Sequence, residues 1–227
     1  VGEIIELCHS RNVPVFVDGA QGAVHCKVDV QEMDCDFYAF SGHKLYAATG
    51  TGVLYGKKKW LEAMPPYMGG GEMVGTVTFE DTTYAPLPMK FEAGTQNLSS
   101  TPTLKPALEV VNLLNNNELT KNIDTIRDYL LEYFLKDERI RLYGVPRGTN
   151  EEKIPLFSFS VAGVHHEDLA LILDKMGIAV RSGQMCAEPL MNRFGVTGML
   201  RVSFAPYNTV EEAEYFVKCL DRAIGML

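Results

Sequence analysis

Apolar residues recur along this chain in two patterns, short continuous runs and a spacing of three to four residues. The runs at 13–17 and 36–40 predict buried strands. The wider spacing predicts helices over 102–135, interrupted by the asparagines of 115–117, and a closing helix over 209–227. Further strands are predicted at 53–55, 140–143, 156–161, 178–181 and 199–205, with helices at 57–64 and 166–176.

The alternation of strands and helices predicts an α/β fold. With 227 residues and 46% hydrophobic composition, the chain has enough apolar material for two subdomains. The first helix after Pro102 is the candidate join between them. We therefore predict a first domain over 1–100, with a mostly parallel sheet, and a smaller α+β domain over 101–227.

Two charged residues are predicted to reach the same edge of the first sheet. Asp18 follows the strand at 13–17, and Lys44 follows the strand at 36–40 after a tight turn. Ligands collect at the carboxyl ends of strands in open α/β sheets. A lysine desolvated there loses its proton readily, and enzymes that use pyridoxal phosphate (PLP) pair such a lysine with an aspartate. A structural ion pair at a sheet edge is the alternative interpretation.

Three motifs, in a fixed order, carry a resemblance to a known family. They are VDGAQ at 17–21, DFYAFSGHK at 36–44 and RSGQMCA at 181–187. Together they resemble the group II (SufS-like) cysteine desulfurases and selenocysteine lyases, in the class V aminotransferase branch of fold-type I PLP enzymes. The resemblance runs from the first residue to the last and covers the later part of such an enzyme.

The resemblance implies a fold-type I PLP transferase fold, with residues 1–100 in the PLP-binding large domain. Lys44 would hold the cofactor and move the substrate proton, and Asp18 would keep the ring nitrogen protonated. Contacts with the ring oxygen and the phosphate are implied for a further set: Gln21, Ser41 and His43.

Thr95 lies in a polar stretch before the predicted helices. From the residues alone it belongs to a loop that caps the next helix. The resemblance implies instead that Thr95 reaches the phosphate of the neighbouring subunit, which would make a homodimer part of the site.

Cys186 differs from the other cysteines because it lies in a short polar loop after a predicted strand. A loop thiol near cationic groups can be held as the nucleophilic thiolate, whereas a buried structural cysteine is the alternative. The resemblance implies that Cys186 takes up the sulfur of L-cysteine as a persulfide, leaving L-alanine. A sulfur-acceptor protein in Fe–S cluster assembly would then receive it. Many relatives carry histidines at Gln184 and Met185, so L-selenocysteine stays open as a substrate.

Two arginines are candidates for binding the substrate. Arg201 lies inside a predicted apolar strand, where burying a guanidinium is costly unless an anion meets it. Its planar guanidinium suits a carboxylate. The resemblance implies that Arg201 binds the carboxylate of the substrate. Arg181 is a second cation near the Cys186 loop, for which a structural ion pair is equally open.

Bulk properties exclude several classes of function. A net charge of −8 argues against a nucleic-acid partner. The chain shows no apolar run long enough for a bilayer and no leader sequence, so no membrane partner is expected. Its five scattered cysteines have no metal-type spacing, which favours a reduced, cytoplasmic protein without a metal. The adjacent His165 and His166 are interpreted as a loop or helix start.

The chain opens at Val1 in a helical pattern with no strand before it, so we expect a fragment of a longer enzyme. Whether the fragment is active without the rest of the enzyme is therefore an open question. Two alternatives to cysteine desulfurase remain: a selenocysteine lyase or another class V PLP lyase, and a catalytically silent module for dimerisation or partner docking.

Overall fold

The computed structural model describes residues 1–114, 117–144 and 153–227. These residues form two compact units, Val1–Leu113 and Leu114–Leu227. Of the predicted interruption at 115–117, residues 115 and 116 lie outside the described part of the chain, and a helix begins at Asn117. The division into domains at residue 100 stays a prediction. Among the described helices, none is long and apolar enough to cross a membrane.

The first unit alternates short helices and strands before it ends in a longer helix. Its elements are α1 (Gly2–His9), β1 (Phe16–Asp18), α2 (Gly22–His25), α3 (Val30–Met33), β2 (Phe37–Ser41), β3 (Gly52–Gly56), α4 (Lys58–Ala63), β4 (Val74–Val77), β5 (Thr82–Tyr84) and α5 (Leu104–Leu114). A 3-10 turn, Gly42–Leu45, follows β2 directly, and two further 3-10 turns span Met89–Phe91 and Thr101–Thr103. Strands β4 and β5 pair antiparallel as a separate hairpin.

The main sheet of this unit has the strand order β1-β2-β3. Strands β1 and β2 are parallel, with Asp18 opposite Ala39. Strands β2 and β3 are antiparallel, with Ser41 opposite Gly52. The parallel pair therefore delivers the ends of β1 and β2, and the turns that follow them, to one edge of the sheet.

A buried carboxylate ties together the elements of the first unit. Asp36 is 1% exposed and accepts hydrogen bonds from His9 Nε2 at 2.8 Å, Val15 N at 2.8 Å and Trp60 Nε1 at 2.6 Å. The ammonium of Lys57 lies 3.6 Å away. Burial by itself raises the pKa of Asp36, but the three donors outweigh it and hold that pKa well below its usual range.

The second unit packs helices on one antiparallel sheet. Its elements are α6 (Asn117–Lys136), β6 (Ile140–Tyr143), β7 (Leu156–Val161), α7 (His166–Lys175), β8 (Arg181–Gly183), α8 (Glu188–Phe194), β9 (Met199–Ser203) and α9 (Val210–Ile224). The strand order is β6-β7-β9-β8. Helix α9 begins with a capping box in which Thr209 and Glu212 bond reciprocally.

The core of the second unit is a large apolar cluster. Side chains alternate along β7, so that Phe157, Phe159 and Val161 face inward. They meet the apolar faces of α6 and α9, and Phe134 lies against Phe157, Phe159 and Phe216 with ring centroids 4.8 to 6.4 Å apart. This packing explains why the helical spacing of α6 and α9 was readable from the sequence.

One predicted strand was placed wrongly. Residues 178–181 were expected to pair, yet β8 spans Arg181–Gly183. Ile178 and Val180 do pack against the apolar cluster, but the N–H of Ile178 is used by Leu173 O at the end of α7. The apolar side chains at 178 and 180 are partly buried, but their backbone does not pair as a strand.

Candidate functional site

Asp18 ends β1, and the residue after it is joined to the end of β2. Gly19 N donates to Ala39 O at 2.8 Å, and one carboxylate oxygen of Asp18 accepts from Ala20 N at 3.0 Å. A Cβ on Gly19 would lie 2.0 Å from the ring of Tyr38. Only glycine permits this approach, so Asp18 leaves the sheet in a fixed direction.

Lys44 lies in the 3-10 turn after β2, which is anchored on both sides of it. Gly42 N donates to Thr51 O at 2.9 Å, and a Cβ on Gly42 would meet Thr51 Cγ2 at 2.8 Å and Leu104 Cδ2 at 3.0 Å. Leu45 is only 2% exposed. Because Gly42 and Leu45 are buried at the two ends of the turn, Lys44 is presented outward from a turn that cannot shift easily.

The structure brings five predicted cofactor contacts to this one edge of the first unit. They are Asp18, Gln21, Ser41, His43 and Lys44. Helix α2, which begins after Gln21, contacts the turn Gly42–Leu45. Ser41 is half-buried, and the other four are exposed.

Two expectations about this edge were wrong. Strand β1 was expected to be buried, but it is an edge strand of the described sheet. Within that sheet it pairs on one side with β2, and its other side is open, so Phe16 is 58% exposed. Lys44 was expected to be desolvated in a cleft, and among the described residues its side chain is exposed.

The loop after Lys44 is held by two side chains, one of which ends the polar stretch that contains Thr95. Thr103 Oγ1 accepts from Ala48 N at 3.0 Å, and Asn97 Nδ2 donates to Gly50 O at 3.2 Å. Asn97 Oδ1 also accepts from Ser100 N at 3.0 Å, so Asn97 caps the turn formed by residues 97–100. Thr95, for which a capping role was open, is exposed two residues earlier.

Cys186 lies in the second unit, between β8 and α8, and is exposed. The alternative of a buried structural cysteine is therefore wrong. Arg181 Nη2 approaches Cys186 Sγ at 3.7 Å. This contact places a cation beside the exposed sulfur.

Arg181 and Arg201 stand directly opposite each other on the neighbouring strands β8 and β9. Residues opposite in an antiparallel pair share a face, and like charges there are destabilising. In the ion pairs of residues 1–114, 117–144 and 153–227, neither arginine has an acidic partner. Two arginines on one face of the sheet offer positive charge to a bound anion, and a carboxylate fits the planar fork of a guanidinium.

The adjacent histidines begin a helix, as interpreted. His165 is the N-cap of α7 and accepts from Glu167 N through Nδ1 at 3.4 Å. His166 is buried, and the two rings stack with centroids 4.4 Å apart. The described part of the chain holds no group of three or more His, Cys, Asp or Glu residues that could bind a metal ion.

The site residues divide between the units. The first unit holds Asp18, Gln21, Ser41, His43, Lys44 and Thr95, and the second holds Arg181, Cys186 and Arg201. Each unit thus contributes one candidate reactive side chain, an amine in the first and a thiol in the second.

Comparison with known proteins identifies the family. The family model described as Aminotransferase class-V matches residues 1–216. A probable cysteine desulfurase of Vibrio cholerae is 43% identical over 99% of this chain and 54% of its own length. The chain therefore spans about half the length of the curated relatives that it matches.

Solved structures that match the whole chain include two cysteine desulfurases. The cysteine desulfurase CsdA from Escherichia coli is 44% identical with a TM-score of 0.89, and the match covers 55% of that chain. A cysteine desulfurase from Thermococcus onnurineus NA1 is 32% identical with a TM-score of 0.91, covering 56% of that chain. The predicted fold class, an α/β fold-type I PLP transferase fold, is confirmed.

Proposed function

The chain belongs to the aminotransferase class-V family, and from that premise we propose that it carries the reactive lysine and cysteine of a PLP-dependent cysteine desulfurase. The substrate would be L-cysteine, and the products L-alanine and a persulfide on Cys186. The names of the matched relatives support this activity. The observation that carries the proposal is the exposed Cys186 thiol beside Arg181, with Arg201 facing Arg181 across the sheet.

The residues at the edge of the first sheet fit PLP. The amine of Lys44 is exposed at the end of β2, and the carboxylate of Asp18 lies at the end of the parallel neighbour β1. Lys44 would hold the cofactor aldehyde, and Asp18 would bind the pyridine nitrogen. Contacts to the ring oxygen and the phosphate would come from Gln21, Ser41 and His43, with Thr95 contacting the phosphate in the neighbouring subunit of a homodimer. When bound, PLP supplies an electron sink for a carbanion at the substrate Cα.

The first unit would hold and move protons. The carboxylate of Asp18 would keep a proton on the ring nitrogen, because an opposite charge nearby favours the protonated form. Lys44, once displaced by the substrate amine, would take the proton from the substrate Cα. The turn Gly42–Leu45 serves this step by fixing the backbone on both sides of the lysine while leaving its side chain free to move.

The second unit would bind the substrate carboxylate and take its sulfur. Arg201, with Arg181 facing it, would hold the carboxylate by paired hydrogen bonds. The Cys186 thiolate would attack the substrate sulfur, so that an S–S bond forms as the Cβ–S bond breaks. The electron pair of the broken bond would stay with the carbon fragment, which would take up one proton at Cβ, receive the proton held by Lys44 back at Cα, and leave as alanine. We propose that a sulfur-acceptor protein then removes the persulfide sulfur for Fe–S cluster assembly in the cytoplasm.

Covalent trapping tests the lysine assignment. The purified protein is incubated with PLP, reduced with borohydride and digested, and the peptide containing residue 44 is examined by mass spectrometry. We expect reduced PLP on Lys44 and none at this position in the Lys44→Ala variant. Lys90→Ala, a lysine of the same unit outside the proposed site, is the matched control and should retain the label on Lys44. Labelling of other lysines, with residue 44 unmodified, would contradict the proposal.

A further inference from the structure

Cys186 lies in a tight turn whose backbone is unfavourable for its residues. Ala187 N donates to Gln184 O at 2.9 Å, which closes a four-residue turn. Its two central residues, Met185 and Cys186, have φ of 56° and 62°. Positive φ at both central positions is the signature of a type I′ turn, which normally takes Asn and Gly. For Met and Cys this conformation costs about 1–2 kcal/mol per residue.

The side chain of Met185 offsets that cost. It packs against the small apolar cluster of the second unit, whose buried members are Tyr143, Met191 and Met199. Full burial of a methionine side chain contributes about 1.5–3 kcal/mol, so partial burial offsets part of the backbone cost of the two residues. The neighbouring Cys186 is exposed. One central residue of the turn is therefore an inward anchor, and the other is presented outward.

The far side of the turn is fixed as well. Ala187 is the N-cap position of α8, and its carbonyl accepts from Leu190 N at 2.9 Å and Met191 N at 3.1 Å. Met191 is itself a member of the cluster that Met185 contacts. The turn is thus held through the same buried cluster by its own side chain and by the helix that follows.

We propose that Met185 is a positioning residue for the Cys186 thiol. Its anchor keeps φ positive at residue 186, which places Sγ 3.7 Å from Arg181 Nη2. Without the anchor the turn relaxes toward negative φ, and the Cα–Cβ bond of Cys186 rotates away from the guanidinium. The inference rests on the proposed function of Cys186 as the nucleophile and adds the residue that sets its direction. An apolar anchor also gives a physical role to the methionine at this place in the motif.

Thiol reactivity tests the proposal without substrate or cofactor. The rate at which iodoacetamide modifies Cys186 is followed by peptide mass spectrometry in the parent and in Arg181→Gln. Because Arg181 Nη2 contacts the attacking sulfur, its loss should change the alkylation rate at least about threefold, the coupling expected of neighbouring groups. In a Met185→Ala background, Arg181→Gln should change the rate by much less, because the thiol no longer faces the guanidinium.

Three further variants make the result decisive. Met185→Leu keeps the apolar anchor and should restore the dependence on Arg181. Met185→Gly removes the anchor while relieving the backbone cost at residue 185, so it should fold and still lose that dependence. Met226→Ala removes an exposed methionine of the same unit and should behave as the parent. If Met185→Ala and Met185→Gly both retain the full effect of Arg181→Gln, the positioning role is wrong. Failure of the desulfurase proposal would be seen separately, as absence of alanine formation from L-cysteine.

Discussion

The two turns that present the candidate reactive residues are built in opposite ways. The turn Gly42–Leu45 has glycine where space is tight, backbone hydrogen bonds and a buried leucine beside the lysine. The turn at 184–187 has two non-glycine residues at positive φ and depends on packing by Met185. The first places an amine on a long flexible stem, so the backbone alone must be fixed. The second places a short thiol, whose direction is set almost entirely by its own backbone.

The two units also differ in what stabilises them: hydrogen bonds to a buried carboxylate in the first, and apolar packing in the second. The second unit has a large apolar cluster with four phenylalanines in contact, whereas the first has a buried cluster of Ile5, Cys35 and Tyr38 and the hydrogen-bonded Asp36. We therefore expect the first unit to be sensitive to acid and the second to respond to changes of packing volume. The following variants test that difference, from the largest expected effect to the smallest.

Phe134→Ala should give the largest loss of stability, confined to the second unit. Removing a fully buried ring leaves a cavity among Phe157, Phe159 and Phe216, and such truncations cost about 3–5 kcal/mol. Native-state hydrogen exchange at amides of β7 should show this loss at both neutral and mildly acidic pH. Protection at amides of β2 serves as the internal reference. Equal protection of β7 in variant and parent would contradict a core centred on this ring.

Asp36→Asn should destabilise the first unit by about 3 kcal/mol at neutral pH. It removes the charge and replaces one of the two buried carboxylate oxygens, which together accept from three donors, with an amide nitrogen that cannot accept. The folded-state pKa of Asp36 lies below its unfolded value. Its contribution is therefore fully present above about pH 4, the unfolded pKa, and is lost as pH falls toward the folded pKa.

The measurement for Asp36 is hydrogen exchange at amides of β2 as a function of pH. The difference between parent and Asp36→Asn should shrink as the pH is lowered below about 4. Asp81→Asn, an exposed acid of the same unit, is the control and should leave the profile unchanged. A constant difference at every pH would mean that the charge of Asp36 is not what stabilises the unit.

The smallest effect is expected from a pair of variants at the thiol. Cys186→Gly should be more stable than Cys186→Ala by about 1 kcal/mol, because glycine adopts positive φ without the penalty that alanine carries. Thermal unfolding of the two proteins measures the difference. A Cys186→Ala variant at least as stable as Cys186→Gly would show that the turn is unstrained.

Much of the fold was readable from the sequence because its helices have one strongly apolar face. The predicted closing helix and the helices after Pro102 are present, since α6 and α9 bury their apolar sides against β7. The pattern could not say which apolar residues would pair, so β8 was placed three residues early. The Asp36 network joins residues distant in sequence, among them His9 and Trp60, and spacing carries no sign of such contacts.

The candidate site was predictable to the extent that motifs mark it. Lys44 and Cys186 were identified because each follows a strand within a characteristic motif. Their supports were not, since Asn97 and Met185 act through contacts that only the folded chain creates. The roles assigned to Asp18 and the other cofactor and substrate contacts stay predictions.

We propose that the Cys186 thiol removes sulfur from L-cysteine with the help of PLP bound at Lys44. The most direct measurement combines the purified protein with PLP and L-cysteine, quantifies alanine, and determines the mass of the peptide containing residue 186. We predict alanine formation together with one added sulfur on Cys186, and loss of both in Cys186→Ala. Alanine and sulfide released by Cys186→Ala at the parental rate would contradict the account.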